Sequence, residues 1–118
     1  MAQNDMEVIM YKILSYLYEC MKAGKRPRME DICCSCEMFQ IPKPYWEQIM
    51  RELASKGLIS GFLMRETKDC LLISMTDNPT ITYEGRQFLV ENSGMKRAAE
   101  FLGGTFSILL DGIIAALI

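Results

Sequence analysis

The sequence contains no histidine and carries little net charge. Its 13 Lys and Arg residues are offset by 15 Asp and Glu, which gives a formal net charge of −2. The missing histidine removes the commonest general base and metal ligand, and the even balance gives no global basic field to attract nucleic acid. There is also no Ser/His/Asp arrangement, no glycine-rich phosphate loop and no spaced carboxylate pair. We therefore expect a protein that is not an enzyme and needs no cofactor or metal.

A basic, apolar leader of the kind that directs secretion is also missing. Together with the five cysteines, this favours a cytoplasmic protein with reduced thiols. The 118 residues are half hydrophobic and 24% charged, which is typical of one globular domain with its own core.

Apolar residues recur at helical spacing in three segments of the first half. The first runs from Met6 to Met21 and is followed by Gly24, a natural helix stop. A second, shorter helix is predicted at about 29–37. A third begins at the prolines that precede Tyr45 and ends at Gly57.

Two β-like runs follow these helices, at 58–64 and 70–75. A charged link joins them into a hairpin, and Asn78-Pro79 predicts a turn after the second strand. Three helices and then a hairpin is the order of a winged helix-turn-helix. The predicted fold is therefore α+β: a winged helix of three helices and a small antiparallel sheet, over residues 1–104, with additional C-terminal helices.

The chain turns from strand to helix at Thr82. The threonine hydroxyl is predicted to cap this helix, and Gly85, lacking a Cβ, to let the helix approach its neighbours. Ser93 is predicted to cap another helix, which Gly103-Gly104 interrupts.

Three segments of the sequence together carry a family resemblance, at 9–27, 44–61 and 78–102. Their most specific element is the run T-x-x-G-x-x-x-L-x-E-N-S-x-M-K from Thr82 to Lys96. These segments resemble the YjcQ family of small proteins from bacteria, phages and prophages, and the resemblance covers roughly 8–104. It implies a winged-helix-like arrangement and brings no established catalytic residues.

The third helix is where a winged-helix protein would read a DNA major groove. Its predicted open face carries Glu47, Gln48, Arg51, Glu52 and Ser55, with two acidic residues against one basic residue. Such a face suits another protein as well as duplex DNA, so two functions stay open: a DNA-binding regulator or a protein-interaction module. The candidate DNA contacts are Lys25, Arg26, Arg28, Lys43, Tyr45, Gln48, Arg51, Arg65 and Lys68.

The run Cys33-Cys34-Ser35-Cys36 contains a C-x-x-C pair. Structural zinc is bound by four ligands, usually as two close pairs, and Cys20 and Cys70 are isolated in sequence. On the predicted second helix, Cys33 and Cys36 would share an apolar face with Ile32. We therefore interpret them as small core residues, with zinc binding or a reactive thiol as the less favoured alternatives.

The segment 105–118 is very apolar, but Asp111 and Gly112 interrupt it and it is too short to span a bilayer. We expect no membrane association. Wound as a helix, its apolar face predicts the interface of a homodimer, with packing on the chain's own core as the alternative. The candidate interface residues are Phe106, Leu109, Leu110, Ile113, Ile114 and Leu117.

Overall fold

The computed structural model describes residues 2–117, which form four α-helices and one two-stranded antiparallel sheet. The predicted α+β class is confirmed. The elements are α1 (Met6–Ala23), α2 (Lys43–Ser55), β1 (Ile59–Glu66), β2 (Leu71–Ile81), α3 (Tyr83–Glu91) and α4 (Ser93–Ala115), with a 3₁₀ turn at Met29–Asp31 between α1 and α2.

The central element is α1, which packs against α2, α3, α4 and β2. It is buried around most of its circumference, as expected for a helix enclosed by other elements. Ile9, Ile13 and Leu14 are fully buried, and each such side chain is worth roughly 1.5–3 kcal/mol. The helix ends as predicted at Gly24, whose left-handed φ of 69° lets its amide bond back to the last turn.

The predicted second helix at 29–37 is wrong. Only the 3₁₀ turn forms there, and residues 32–41 are a loop closed by two backbone hydrogen bonds, Cys36 N to Phe39 O and Ile41 N to Cys34 O. The Trp46 indole donates to Ile32 O at 2.7 Å, a carbonyl that a helix over 29–37 would have used for its own hydrogen bond. The Lys12 ammonium donates to Met38 O at 2.7 Å, just beyond that range, and holds the end of the loop.

The predicted hairpin is present, but β2 is longer than expected. Its pairing with β1 is irregular opposite Gly61, where Ser60 pairs with Thr80 and Phe62 with Met75. The predicted turn at Asn78-Pro79 is therefore wrong, because both residues lie within this irregular part of β2. Gly61, with φ of 82°, permits the irregularity, since a Cβ there would lie 2.0 Å from the Asn78 carbonyl oxygen.

The cap and the close approach predicted at the start of α3 are confirmed. Thr82 Oγ1 accepts a hydrogen bond from the Gly85 amide at 3.0 Å. A Cβ on Gly85 would lie 2.1 Å from the Leu58 carbonyl oxygen. The predicted cap at Ser93 is off by one residue, because Asn92 accepts the hydrogen bonds of the first amides of α4.

The predicted interruption at Gly103 appears as a kink within α4, where φ is 64° and ψ is −160°. Beyond the kink, the helix packs on its own chain, with the ring of Phe106 5.9 Å from that of Tyr11. Four of the six candidate interface residues are thus core residues: Phe106, Leu110, Ile113 and Leu117. Leu109 is exposed and Ile114 is partly buried. The segment 105–117 is continuous with the main core, and a homodimer stays a prediction.

Candidate nucleic-acid interface

The hairpin is fixed against α2 at its turn end by two polar side chains of the helix. Glu47 Oε2 accepts a hydrogen bond from the Leu71 amide at 3.0 Å, and Arg51 Nη2 lies 3.1 Å from Glu66 Oε1. Since Glu66 ends β1 and Leu71 begins β2, both strands are attached to the same helix. The outer face of α2 and the hairpin turn therefore form one surface.

Glu47 was expected on the open face of α2, and that expectation is wrong. Its side chain is only 8% exposed, because the helix turns it toward the hairpin. The acidic side chain that remains on this face is Glu52, which accepts a hydrogen bond from Gln48 at 3.3 Å. The face is thus less acidic than the sequence implied.

Exposed basic side chains lie at the two ends of α2 and on the hairpin. Lys43 lies at the start of α2, Arg65 on β1 and Lys68 in the hairpin turn, and all three are exposed. Lys56, which was not among the predicted contacts, is exposed at the other end of α2. Its place directly before Gly57, the predicted helix stop, was the sequence signal for an exposed position. None of the four makes a side-chain hydrogen bond or ion pair with another residue in the range 2–117. Their charges are opposed by Asp69 in the same turn.

The basic turn after α1 is engaged within the chain. The Lys25 ammonium donates to the Ile114 carbonyl oxygen at 3.1 Å, near the end of α4. The Arg26 guanidinium donates to the Thr76 and Asp77 carbonyl oxygens, both at 2.9 Å, in the irregular part of β2.

The third basic residue of this turn, Arg28, is held by Asp31. Its Nε lies 3.0 Å and its Nη2 3.1 Å from the two carboxylate oxygens, a bidentate pair. The Tyr16 hydroxyl donates to the same carboxylate at 2.6 Å. The hydrogen bonds of this turn therefore link α1, β2 and α4 to one another.

Two further candidates at α2 also have partners. The Tyr45 hydroxyl donates to the Asn4 carbonyl oxygen at 2.6 Å and so attaches the segment before α1 to the start of α2. The Arg51 side chain is partly buried by the hairpin, and its Nε has no partner among the described residues. Of the nine candidates, only Lys43, Arg65 and Lys68 make no side-chain hydrogen bond or ion pair with another described residue.

The outer face of the hairpin carries large apolar side chains. Leu63 is 62% exposed and Leu72 is 50% exposed, on the same side of the ribbon as Arg65. The opposite side turns toward the core, with Phe62, Met64, Ile73 and Met75 partly buried. One face of the two-stranded sheet is thus uncovered.

Within residues 2–117, no group of three Cys, Asp or Glu side chains is placed to hold a metal ion. By length and composition alone, α4 is long and apolar enough to cross a membrane, although only 22% of its most apolar stretch is buried. The core helices of soluble proteins pass the same test. This helix is kinked at Gly103 and supplies four core residues.

A family model described as YjcQ protein matches residues 11–103. No curated protein and no solved structure matches the chain significantly. The matched range includes α2, the hairpin and α3, and it ends at the kink of α4. Because the match covers well over half of the sequence, the chain belongs to the YjcQ family.

Proposed function

We propose that this protein is a winged-helix DNA-binding regulator in which α2 enters the major groove and the hairpin is the wing. The observation that carries the proposal is the set of four exposed basic residues at the ends of α2 and on the hairpin, which make no side-chain hydrogen bond or ion pair with another described residue. The withdrawal of Glu47 into the hairpin contact supports it further. The cytoplasmic setting that the sequence favours, and the phage or prophage setting that the family resemblance implies, are part of the same proposal. The basic residues are Lys43, Lys56, Arg65 and Lys68.

The charge distribution fits modest, salt-sensitive binding. Each phosphate that a basic side chain neutralises releases counterions, and this release lowers the logarithm of the affinity by about 0.9 per contact for each decade of salt. Four contacts would give a slope of about −3 to −4. Between these charges, Gln48 and Ser55 are exposed on α2, and both side-chain types can bond base edges.

The test is fluorescence anisotropy with a labelled random duplex at several salt concentrations. We expect binding at low salt, and we expect Arg65→Gln with Lys68→Gln to weaken it and flatten the slope by about 2. Lys96→Gln is the matched control, because Lys96 is an exposed lysine on α4, away from this surface. The absence of binding at low salt, or equal slopes for the double variant and the control, would contradict the proposal.

A second candidate function is a protein-interaction module, and the uncovered face of the hairpin favours it. Leu63 and Leu72 expose apolar surface that DNA phosphates do not need, whereas protein interfaces are built around such side chains. In this alternative, Leu63→Ser with Leu72→Ser would abolish partner binding, while Arg65→Gln with Lys68→Gln would not.

A further inference from the structure

Three of the five cysteines lie within four residues of the loop 32–41. Cys33, Cys34 and Cys36 have free thiols and are partly exposed, whereas Cys20 in α1 is fully buried. The interpretation of Cys33 and Cys36 as ordinary core residues depended on a helix at 29–37. No helix forms there, but both side chains are partly buried and pack against the core, so the packing interpretation holds in part and each thiol also keeps some exposure to solvent.

The loop brings the first and last of these cysteines close together. Cys33 Sγ lies 3.1 Å from the Ser35 carbonyl oxygen, to which its thiol donates. That oxygen belongs to the peptide group that joins Ser35 to Cys36. With standard peptide dimensions, the Cys33 sulfur is therefore within about 6 Å of the Cys36 Cα. The Cys36 sulfur is attached to that Cα through one further carbon, so rotation of the two side chains and a small backbone adjustment would bring the sulfurs together and close the bond.

We propose that Cys33 and Cys36 are a site of reversible thiol oxidation, which forms an intramolecular disulfide in the loop that leads into α2. The oxidant class is a hydroperoxide, with hydrogen peroxide as its simplest member. The inference concerns the thiol chemistry of the loop and does not depend on DNA binding.

The reaction balances with these two thiols and one peroxide. The Cys33 sulfur attacks one peroxide oxygen, the O–O bond breaks, and a sulfenic acid and water form. The Cys36 sulfur then attacks the Cys33 sulfur, the S–O bond breaks, and a second water leaves. The two thiols lose two electrons and two protons, and the peroxide is reduced to two waters. A thiol reductant reverses the disulfide by exchange.

The order of the two steps follows from the surroundings of the sulfurs. Burial raises the pKa of the Cys36 thiol, against the hydrogen bonds from the Phe39 and Met38 amides that favour its thiolate. A thiol with a raised pKa is a poor first nucleophile at neutral pH. The proposed order is therefore reaction of Cys33 with peroxide and resolution of the sulfenic acid by Cys36.

Closure of this bond would act on the contacts that hold the loop to α1 and α2. The carbonyl of Ile32, next to Cys33, accepts the Trp46 indole, and the carbonyl of Met38, two residues after Cys36, accepts the Lys12 ammonium. A disulfide between Cys33 and Cys36 would constrain the loop between these two carbonyls and so alter their positions. Trp46 is the single tryptophan of the chain, so its fluorescence reports on this loop.

The experiment treats the reduced full-length protein with hydrogen peroxide at micromolar protein concentration. We expect a mass loss of about 2 Da, a peptide map that links Cys33 to Cys36, and a rate independent of protein concentration. Trp46 emission should change with the same rate constant and return after addition of a thiol reductant.

Three variants make the test specific. Cys34→Ser should retain the mass loss and the fluorescence change, whereas Cys33→Ser and Cys36→Ser should lose both. Cys36→Ser should instead accumulate a sulfenic acid on Cys33, which dimedone traps. The proposal is overturned if the wild type shows no mass loss, if the mapped bond involves Cys34 or a second chain, or if Cys33→Ser behaves as the wild type does.

Discussion

The Thr82 hydroxyl donates a hydrogen bond to the Gly57 carbonyl oxygen at 2.5 Å. The same hydroxyl oxygen accepts a hydrogen bond from the Gly85 amide, so one side chain joins Gly57, two residues after α2, to the first turn of α3. Gly57 and Thr82 stand at the two ends of the hairpin. This contact therefore closes the hairpin at its base, opposite the turn end held by Glu47.

Thr82→Ala should lower the free energy of unfolding by about 1–2 kcal/mol, because it removes a helix cap and a hydrogen bond. Thr82→Ser keeps the hydroxyl and is the control, with an expected loss well below that of the alanine variant. Urea denaturation followed by circular dichroism measures both. Coincident midpoints for Thr82→Ala and the wild type would show that the cap contributes nothing.

Gly85→Ala should destabilise the protein by about 1–3 kcal/mol, because the added methyl group would meet the Leu58 carbonyl, which is backbone and cannot move aside. Gly112→Ala is the matched control within α4. Nothing lies within 4 Å of a Cβ added there, so the change should stabilise the helix by about 0.5–1 kcal/mol. Thermal melts that shift in the same direction for both variants would refute this reading of Gly85.

Stability should fall between about pH 9 and pH 11 because of one buried thiol. Burial raises the pKa of Cys20 from 9.0 to about 11. The folded state therefore keeps a proton that the unfolded state has lost. The stabilisation is complete below pH 9 and disappears as the pH rises through 11, a change of about 2 kcal/mol.

The measurement for this prediction compares the wild type with Cys20→Ala in urea at pH 8 and pH 10.5. The difference in unfolding free energy between the two proteins should shrink at the higher pH. The pKa of Tyr16 is raised mainly by burial and by its hydrogen bond with Asp31, both of which remain in Cys20→Ala, so most of its effect is common to the two proteins. A difference that is constant with pH would rule out the linkage.

The C-terminal half of α4 should be required for stability. Phe106→Ala empties a buried site against Tyr11 and should cost about 3–5 kcal/mol. Ile108 is 76% exposed two residues later, and Ile108→Ala should stay within about 0.5 kcal/mol of the wild type. Equal midpoints for the two variants would mean that the segment does not pack on α1.

Self-association, if it uses α4, has to use the side chains that the core leaves exposed. Ile108→Asp with Leu109→Asp should convert a dimer to a monomer in light scattering without loss of the helical signal. A wild-type protein that is monomeric at high concentration would refute the predicted homodimer.

Sequence reasoning succeeded where the signals were local. The length of α1 follows from its apolar periodicity and Gly24, and the start of α3 follows from Thr82 and Gly85. These features need only residues within a few positions of one another, so a single stretch of sequence contains the whole cause.

It failed where the partner of a group lies far along the chain. Residues 29–37 have the spacing of a short helix, but the Ile32 carbonyl accepts a hydrogen bond from the Trp46 indole of α2, and residues 32–41 form a loop instead. The helical spacing of α2 predicts that Glu47 is exposed, but the hairpin places the Leu71 amide beside it and buries the side chain. The basic turn after α1 was predicted to contact DNA for the same reason. The Thr76 and Asp77 carbonyls that accept hydrogen bonds from Arg26 lie about 50 residues further along the chain.

The packing of α1 against α4 has a consequence for how the chain is made. The two helices are separated by the 69 residues between Ala23 and Ser93, so a ribosome adding about 5–20 residues per second needs about 3–14 s to synthesise the intervening chain. During that interval, the apolar surface of α1 lacks its largest covering element. A nascent chain that stalls in this window would present an uncovered hydrophobic helix to chaperones and to other chains, and the cell would have to shield or degrade it.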